Sequence, residues 1–198
     1  TDHLMVGVAR AKRNEDLEGL VKYRVLDQTT DNAIPVSVSA FANIAYSVKE
    51  SADFKNDNYR FVYCSQLILA RKFSSRLSVV VIPTFTHRNF VGADDDNNTL
   101  SLSGCFRFKF TPSAYIIFDY SKTLGRENLV IPRFDVIGAG VEIETGGHVF
   151  TLMFSNASGI LENDYLVNTF DSWGKGGYKL SFNISRMFKL GKDTEAVK

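Results

Sequence analysis

The sequence predicts an all-β fold, an antiparallel up-and-down transmembrane β-barrel of about ten strands. Three observations predict it. Apolar and polar residues alternate with period two from end to end, the connections alternate between long and short, and aromatic side chains gather near strand ends. The last segment shows the alternation most plainly. Tyr178, Leu180, Phe182, Ile184, Arg186, Phe188 and Leu190 share one face, while Lys179, Ser181, Asn183, Ser185, Met187 and Lys189 share the other. It ends on the pair Phe188 and Leu190 just short of a charged tail, which is how bacterial outer-membrane barrels usually finish.

Strands are expected at 3–10, 17–26, 34–48, 59–72, 76–88, 99–110, 114–122, 134–145, 148–156 and 176–190. In the third, Ile34, Val36, Val38, Ala40, Ala42, Ile44, Tyr46 and Val48 oppose Ser37, Ser39, Phe41, Asn43 and Ser47. In the sixth, Leu100, Leu102, Phe106, Phe108 and Phe110 oppose Ser101, Ser103, Arg107 and Lys109. Two features fit less well. Pro83 removes a ladder hydrogen bond, so a bulge or early fraying is expected there. Arg186 lies on the apolar face, at an end from which it can snorkel.

The long connections are 49–58, 91–98, 123–133 and 157–175; the short ones are 73–75, 111–113 and 146–147, with a longer one near 28–33. Outer-membrane barrels sort their connections in this way, with short periplasmic turns and longer loops outside. A soluble sandwich has no reason to do so. Aromatic girdles are expected from Tyr46, Tyr59, Phe61, Tyr120 and Tyr178 on the loop side and from Phe108, Phe110, Phe150 and Phe188 on the turn side.

Composition agrees. A hydrophobic content of 44% and a mean hydropathy of -0.08 are what alternating lipid-facing and lumen-facing residues average to. No apolar run approaches the roughly 20 residues of a membrane helix. The expected organisation is one barrel domain, 1–190, followed by a charged tail, 191–198. Thr1 opens directly into structure, and a protein exported to the outer membrane needs a leader, so a processed or partial chain is expected. A formal charge of +1 gives no case for nucleic acid. The expected partners are outer-membrane lipid and lipopolysaccharide, with protein partners in the envelope.

Several segments resemble one family: Val6-Gly7-Val8-Ala9-Arg10, Leu20-Val21-Lys22-Tyr23-Arg24-Val25-Leu26, Ile34-Pro35-Val36-Ser37-Val38, Gly140 through Phe150, and Phe182-Asn183-Ile184-Ser185-Arg186. It is a Bacteroidota group of membrane-bound β-barrels to which no activity is attached. The resemblance covers nearly the whole chain and is most specific at 142–150 and 183–186. It implies an outer-membrane location and further strands ahead of Thr1-Asp2, which looks like a hairpin turn, for a complete barrel of roughly twelve strands. It implies no activity.

With the apolar faces in lipid, the lumen is lined by Lys22, Arg24, Arg60, Gln66, Lys72, Arg107, Lys109, Asp119, Glu142, Glu144, Lys179 and Asn183. Both signs occur, so ion pairs across the interior are expected, and about ten to twelve strands enclose a lumen either plugged or narrowly open. No catalytic residue, metal or cofactor is expected. Hydrolysis or acyl transfer needs a positioned histidine. His3 and His148 sit at turn-side strand ends; His87, near the loop side, has candidate partners in Asp94, Asp95 and Asp96, and no serine is positioned beside it. Those consecutive acids lack calcium-loop spacing and are expected to form a solvated loop. Gly174, Gly176 and Gly177 are expected turn glycines. Cys64 and Cys105, on the lumen face one strand apart, are expected as free thiols roughly 9–10 Å from each other. Three functional classes follow: an accessory or scaffold subunit of an envelope complex, a narrow porin or transporter, and an envelope-modifying enzyme dependent on His87.

Overall fold

A computed structural model describes residues 3–50, 54–126 and 129–188. Period-two segments become strands because alternate side chains leave opposite faces of a pleated chain. The ten are β1 (Leu4–Ala11), β2 (Asp16–Leu26), β3 (Ser37–Ser47), β4 (Phe61–Lys72), β5 (Leu77–Arg88), β6 (Asn98–Lys109), β7 (Ala114–Thr123), β8 (Val136–Thr145), β9 (His148–Ser155) and β10 (Lys179–Arg186). They form one sheet in chain order, each neighbour antiparallel, so the topology is a simple meander. Two short 3-10 turns, Asp57–Arg60 and Trp173–Lys175, and a one-turn helix α1, Glu162–Tyr165, lie in the long loops. No described helix is long and apolar enough to cross a membrane.

Each expected strand is present, with shorter ends where local chemistry intervenes. Before β3, Pro35 has no N–H to offer a ladder, and Ile34 instead donates to the Thr29 hydroxyl while its carbonyl accepts from Thr29 N–H. Gly176 takes φ +74 to end the second 3-10 turn, which delays β10 to Lys179. At Pro83 the expected bulge or fraying is corrected. β5 runs unbroken to Arg88 and pairs continuously with β6, while its ladder to β4 passes over Leu67 and Ile68. The cost of the missing N–H is confined to one side of one strand. The expected hairpin turn at Thr1-Asp2, Leu190 and the tail 191–198 lie outside the described residues.

The two faces differ sharply. The outer face carries Val6, Val8, Val21, Ile44, Leu67, Val81, Leu102, Phe106, Ile116, Val141, Leu152 and Phe182, and the most exposed of them, Val8, is 91% accessible. Its charged side chains, Arg10, Arg71, Lys122 and Arg186, all stand within one residue of a strand end. An exposed apolar band with charge only at its rims matches a hydrocarbon slab and not water.

The inner face is polar, and the sheet curls around it. Leu161, beside α1, packs with Ala11 of β1 and Ala45 of β3, while the Thr123 hydroxyl of β7 donates to Leu166 O at 2.6 Å. In a flat sheet β1 and β7 would lie roughly 29 Å apart, at about 4.8 Å per strand. Only a concave sheet brings both to one short segment. Among the described residues β1 and β10 are edges, each hydrogen-bonded to one neighbour.

Candidate functional site

The concave interior is the candidate site, and three layers fill it. At the loop side, the β9–β10 connection folds inward. This corrects the expectation that 157–175 is an external loop. Leu161, Leu166 and Val167 are buried, and burial of such side chains drives the segment against the sheet. Polar anchors hold its entry and exit. The Asn156 carboxamide accepts from Ile137 N–H and donates to Asp135 O and Asp171 O, all at 2.8 Å. Trp173 Nε1 donates to Ile137 O at 2.7 Å. Phe134 N–H donates to Thr169 O at 2.9 Å. Gly159 leaves room for the Asp164 carboxylate, which a Cβ there would strike.

Beneath α1, Glu162 meets the inner face. Asn43 Nδ2 donates to Glu18 and, at 3.4 Å, to Glu162 Oε2. Burial pushes the Glu162 carboxyl above the usual carboxylate range, and the nearby Glu18 adds to it. Burial likewise raises the Tyr165 hydroxyl, with Glu162 contributing. Asp164 pairs with Arg13 at 3.5 Å. The Asn163 carboxamide is buried with both polar atoms unpartnered.

The second layer is an ion triad between loops. Asp95 pairs with Arg88 at 3.0 Å and with Arg126, and all three side chains are at most 8% exposed. Arg126 Nη1 also donates to Val167 O at 2.7 Å, which ties the triad to the inward loop. Burial and the neighbouring Arg88 charge lower the Arg126 guanidinium to about 10, against the pull of Asp95. The expectation of a solvated acidic loop is corrected here. Asp95 turns inward because two arginines converge on it, and Asp94 accepts from Val130 N–H at 2.8 Å.

The third layer lies toward the short turns. Arg107 donates through Nε to Glu142 at 2.7 Å, pairs with Glu144, and lies 3.3 Å over the Tyr115 ring centre. Lys22, Arg24, Lys109 and Asp119 share this inner face by register, as do Gln66, Lys72 and Asn183. Asp119 occupies space that a Cβ on Gly138 would take. Lys179 pairs with Asp171 at the loop side. Arg60 departs from expectation: it closes the 3-10 turn ahead of β4 and donates to Ser47 O and Lys49 O at 3.0 and 2.7 Å, so it brackets the loop rim.

The expected girdle residues Tyr46, Phe108, Tyr120 and Phe150 stand on the outer face of strands. Tyr59 sits in a 3-10 turn beside Phe90, and Phe110, Tyr178 and Phe188 flank their strands. Arg186 lies 4.6 Å over the Phe188 ring, a position suited to the membrane boundary. His87 faces outward, its ring nitrogens bonded to Asn98 and Asn89. The cysteines are free. Cys64 pairs with Thr86 and Cys105 with Val80, six residues apart along β5, so their separation is roughly 20 Å and the expected 9–10 Å is corrected. No cluster of metal-ligating side chains occurs among the described residues.

The inward loop and the Asp95 triad escaped sequence reasoning. Leu161, Leu166 and Val167 within the longest connection were the available signal, since a solvated loop has little use for three such residues. A family model described as a membrane-bound β-barrel domain matches residues 1–188. No curated protein matches the chain.

Proposed function

The chain belongs to the family of membrane-bound β-barrel domains, and from that premise we propose that it is a non-enzymatic accessory or scaffold subunit of an envelope complex in the bacterial outer membrane. The location is supported by the parity of the connections from β3 onward: 73–76, 110–113 and 146–147 are short at one rim, while 48–60, 89–97, 124–135 and 156–178 are long at the other, and only 12–15 and 27–36 depart from the pattern. The role is supported by one observation above all: the loop-side interior is occupied by the chain's own β9–β10 segment, packed by buried side chains and closed by ion pairs. A barrel plugged at its loop side leaves its loops and its lipid-facing wall as the surfaces that meet partners. Affinity isolation from native membranes tests this reading. A reproducible envelope protein should co-purify, and a barrel that always isolates alone overturns it.

A narrow porin is the second reading, favoured by the cationic side chains of the turn-side interior. Single-channel recording in planar bilayers separates the two. The scaffold reading expects silence across ions and voltages, and steady unitary currents would replace it with the porin. Envelope modification would require His87; His87→Ala is expected to leave the envelope phenotype unchanged.

A further inference from the structure

The turn-side interior contains a hollow of about 240 Å³ that the β9–β10 segment does not reach. Register explains its existence. Lys72, Ser78 and Arg107 are direct neighbours in one row across β4, β5 and β6. Ser78 between them is short, so the row has a gap flanked by an ammonium and a guanidinium whose backbones stand roughly 10 Å apart. Arg76 and Lys109 close the next row, where Lys109 N–H donates to Arg76 O at 2.7 Å. Tyr115 forms one wall, with Arg107 over its ring and Lys109 5.5 Å from its centre.

The charge balance is uneven. Glu142 and Glu144 are both engaged by Arg107. Lys72 and Arg76 take part in no described ion pair, and no further carboxylate lines the hollow. Four cations against two carboxylates leave a surplus that a doubly charged anion would neutralise. Arg107, fixed by Glu142, Glu144 and Tyr115, presents a rigid donor edge, and lysines supply point charge.

We propose that this hollow, bounded by Lys72, Arg76, Ser78, Arg107 and Lys109, is a binding site for a phosphate-bearing ligand at the turn-side mouth of the barrel. It goes beyond the scaffold reading and stands whether or not a partner protein is found. The shared chemistry is a phosphate dianion, supplied either by a soluble phosphorylated solute or by a lipid headgroup at the rim.

The test uses the full chain in neutral maltoside micelles, titrated calorimetrically with pyrophosphate at low ionic strength. Saturable binding is expected, weakened about tenfold or more in Lys72→Gln and Arg76→Gln, since each removes a charge-assisted contact. Ser78→Leu fills the gap without changing charge and is expected to weaken binding equally. Arg71→Gln makes the same charge change on the outer face and is expected to leave binding intact. Heat-modifiable gel migration identifies variants that retain the barrel; if Ser78→Leu fails to fold, the exposed Lys72 and Arg76 variants decide. Phospholipid retained through extraction by the parent protein, lost in Lys72→Gln and displaced by pyrophosphate, assigns the site to a headgroup. Pyrophosphate binding without retained lipid assigns it to a soluble ligand. The proposal is overturned if the parent binds neither, or if Arg71→Gln weakens binding as much as Lys72→Gln does.

Discussion

Asp95 holds two guanidiniums that burial alone would drive apart. Removing it leaves Arg88 and Arg126 buried, adjacent and uncompensated, so Asp95→Ala is expected to destabilise the loop rim by about 3–5 kcal/mol. Hydrogen exchange at 88–97 and 124–126 reads this directly, and unchanged protection there would refute it. Glu162 behaves differently. Its folded pKa lies above the ordinary value, so the ionised form is disfavoured in place. Stability contributed by seating α1 is therefore fullest at acidic pH and falls as pH rises above the usual carboxylate range. Glu162→Gln keeps a polar end beside Asn43 and is expected to flatten that dependence above the usual carboxylate range, with the gain at the alkaline end, as limited proteolysis of 157–175 would report. Lys22, Arg24, Arg107, Lys109, Asp119, Glu142 and Glu144 were all readable as inward-facing because alternation fixes a side once a strand is known. Arg88 and Asp95 were not readable as partners. Their meeting depends on how three loops fold over the rim, which no period encodes.

At the scale of elements, the strands were legible because a two-residue repeat and the turn residues between runs both point to the same boundaries. The misplacements fall where local hydrogen bonding replaces the ladder, as at Ile34 and Gly176. β5 offers a direct measurement of one such replacement. Pro83→Val returns an N–H opposite Leu67 and is expected to stabilise the barrel by about 1 kcal/mol in urea-induced unfolding; a destabilised variant would show that the interrupted ladder has another cause. The β9–β10 segment was legible as a loop but not as a plug, since its three apolar anchors follow neither period. Replacing 160–168 by a Gly-Ser linker removes Leu161, α1, Leu166 and Val167. A conductance absent from the parent barrel is then expected in planar bilayers, and continued silence would place the barrier elsewhere in the interior.

For the whole molecule, hydrocarbon imposes one requirement that water does not. Every backbone N–H and C=O within the membrane must be paired inside protein, because each one left open there costs several kcal/mol. β1 and β10 each have one side without a described neighbour. Their amides are therefore expected to exchange as slowly in lipid bilayers as those of β4 and β5, and rapid exchange along either strand would contradict membrane-depth placement. The meander also settles geography. His3 and Arg186 leave the sheet at the same rim, so the ten strands make five out-and-back hairpins. Whatever continues the chain from either strand end starts in one compartment. Reporter peptides inserted within 124–135 and at 146–147 would be displayed on opposite sides of the same bilayer, and a protease added to one side would cut only one of them. Among the described residues both strand ends thus share one rim, which leaves the opposite rim to loops that begin and end within the sheet.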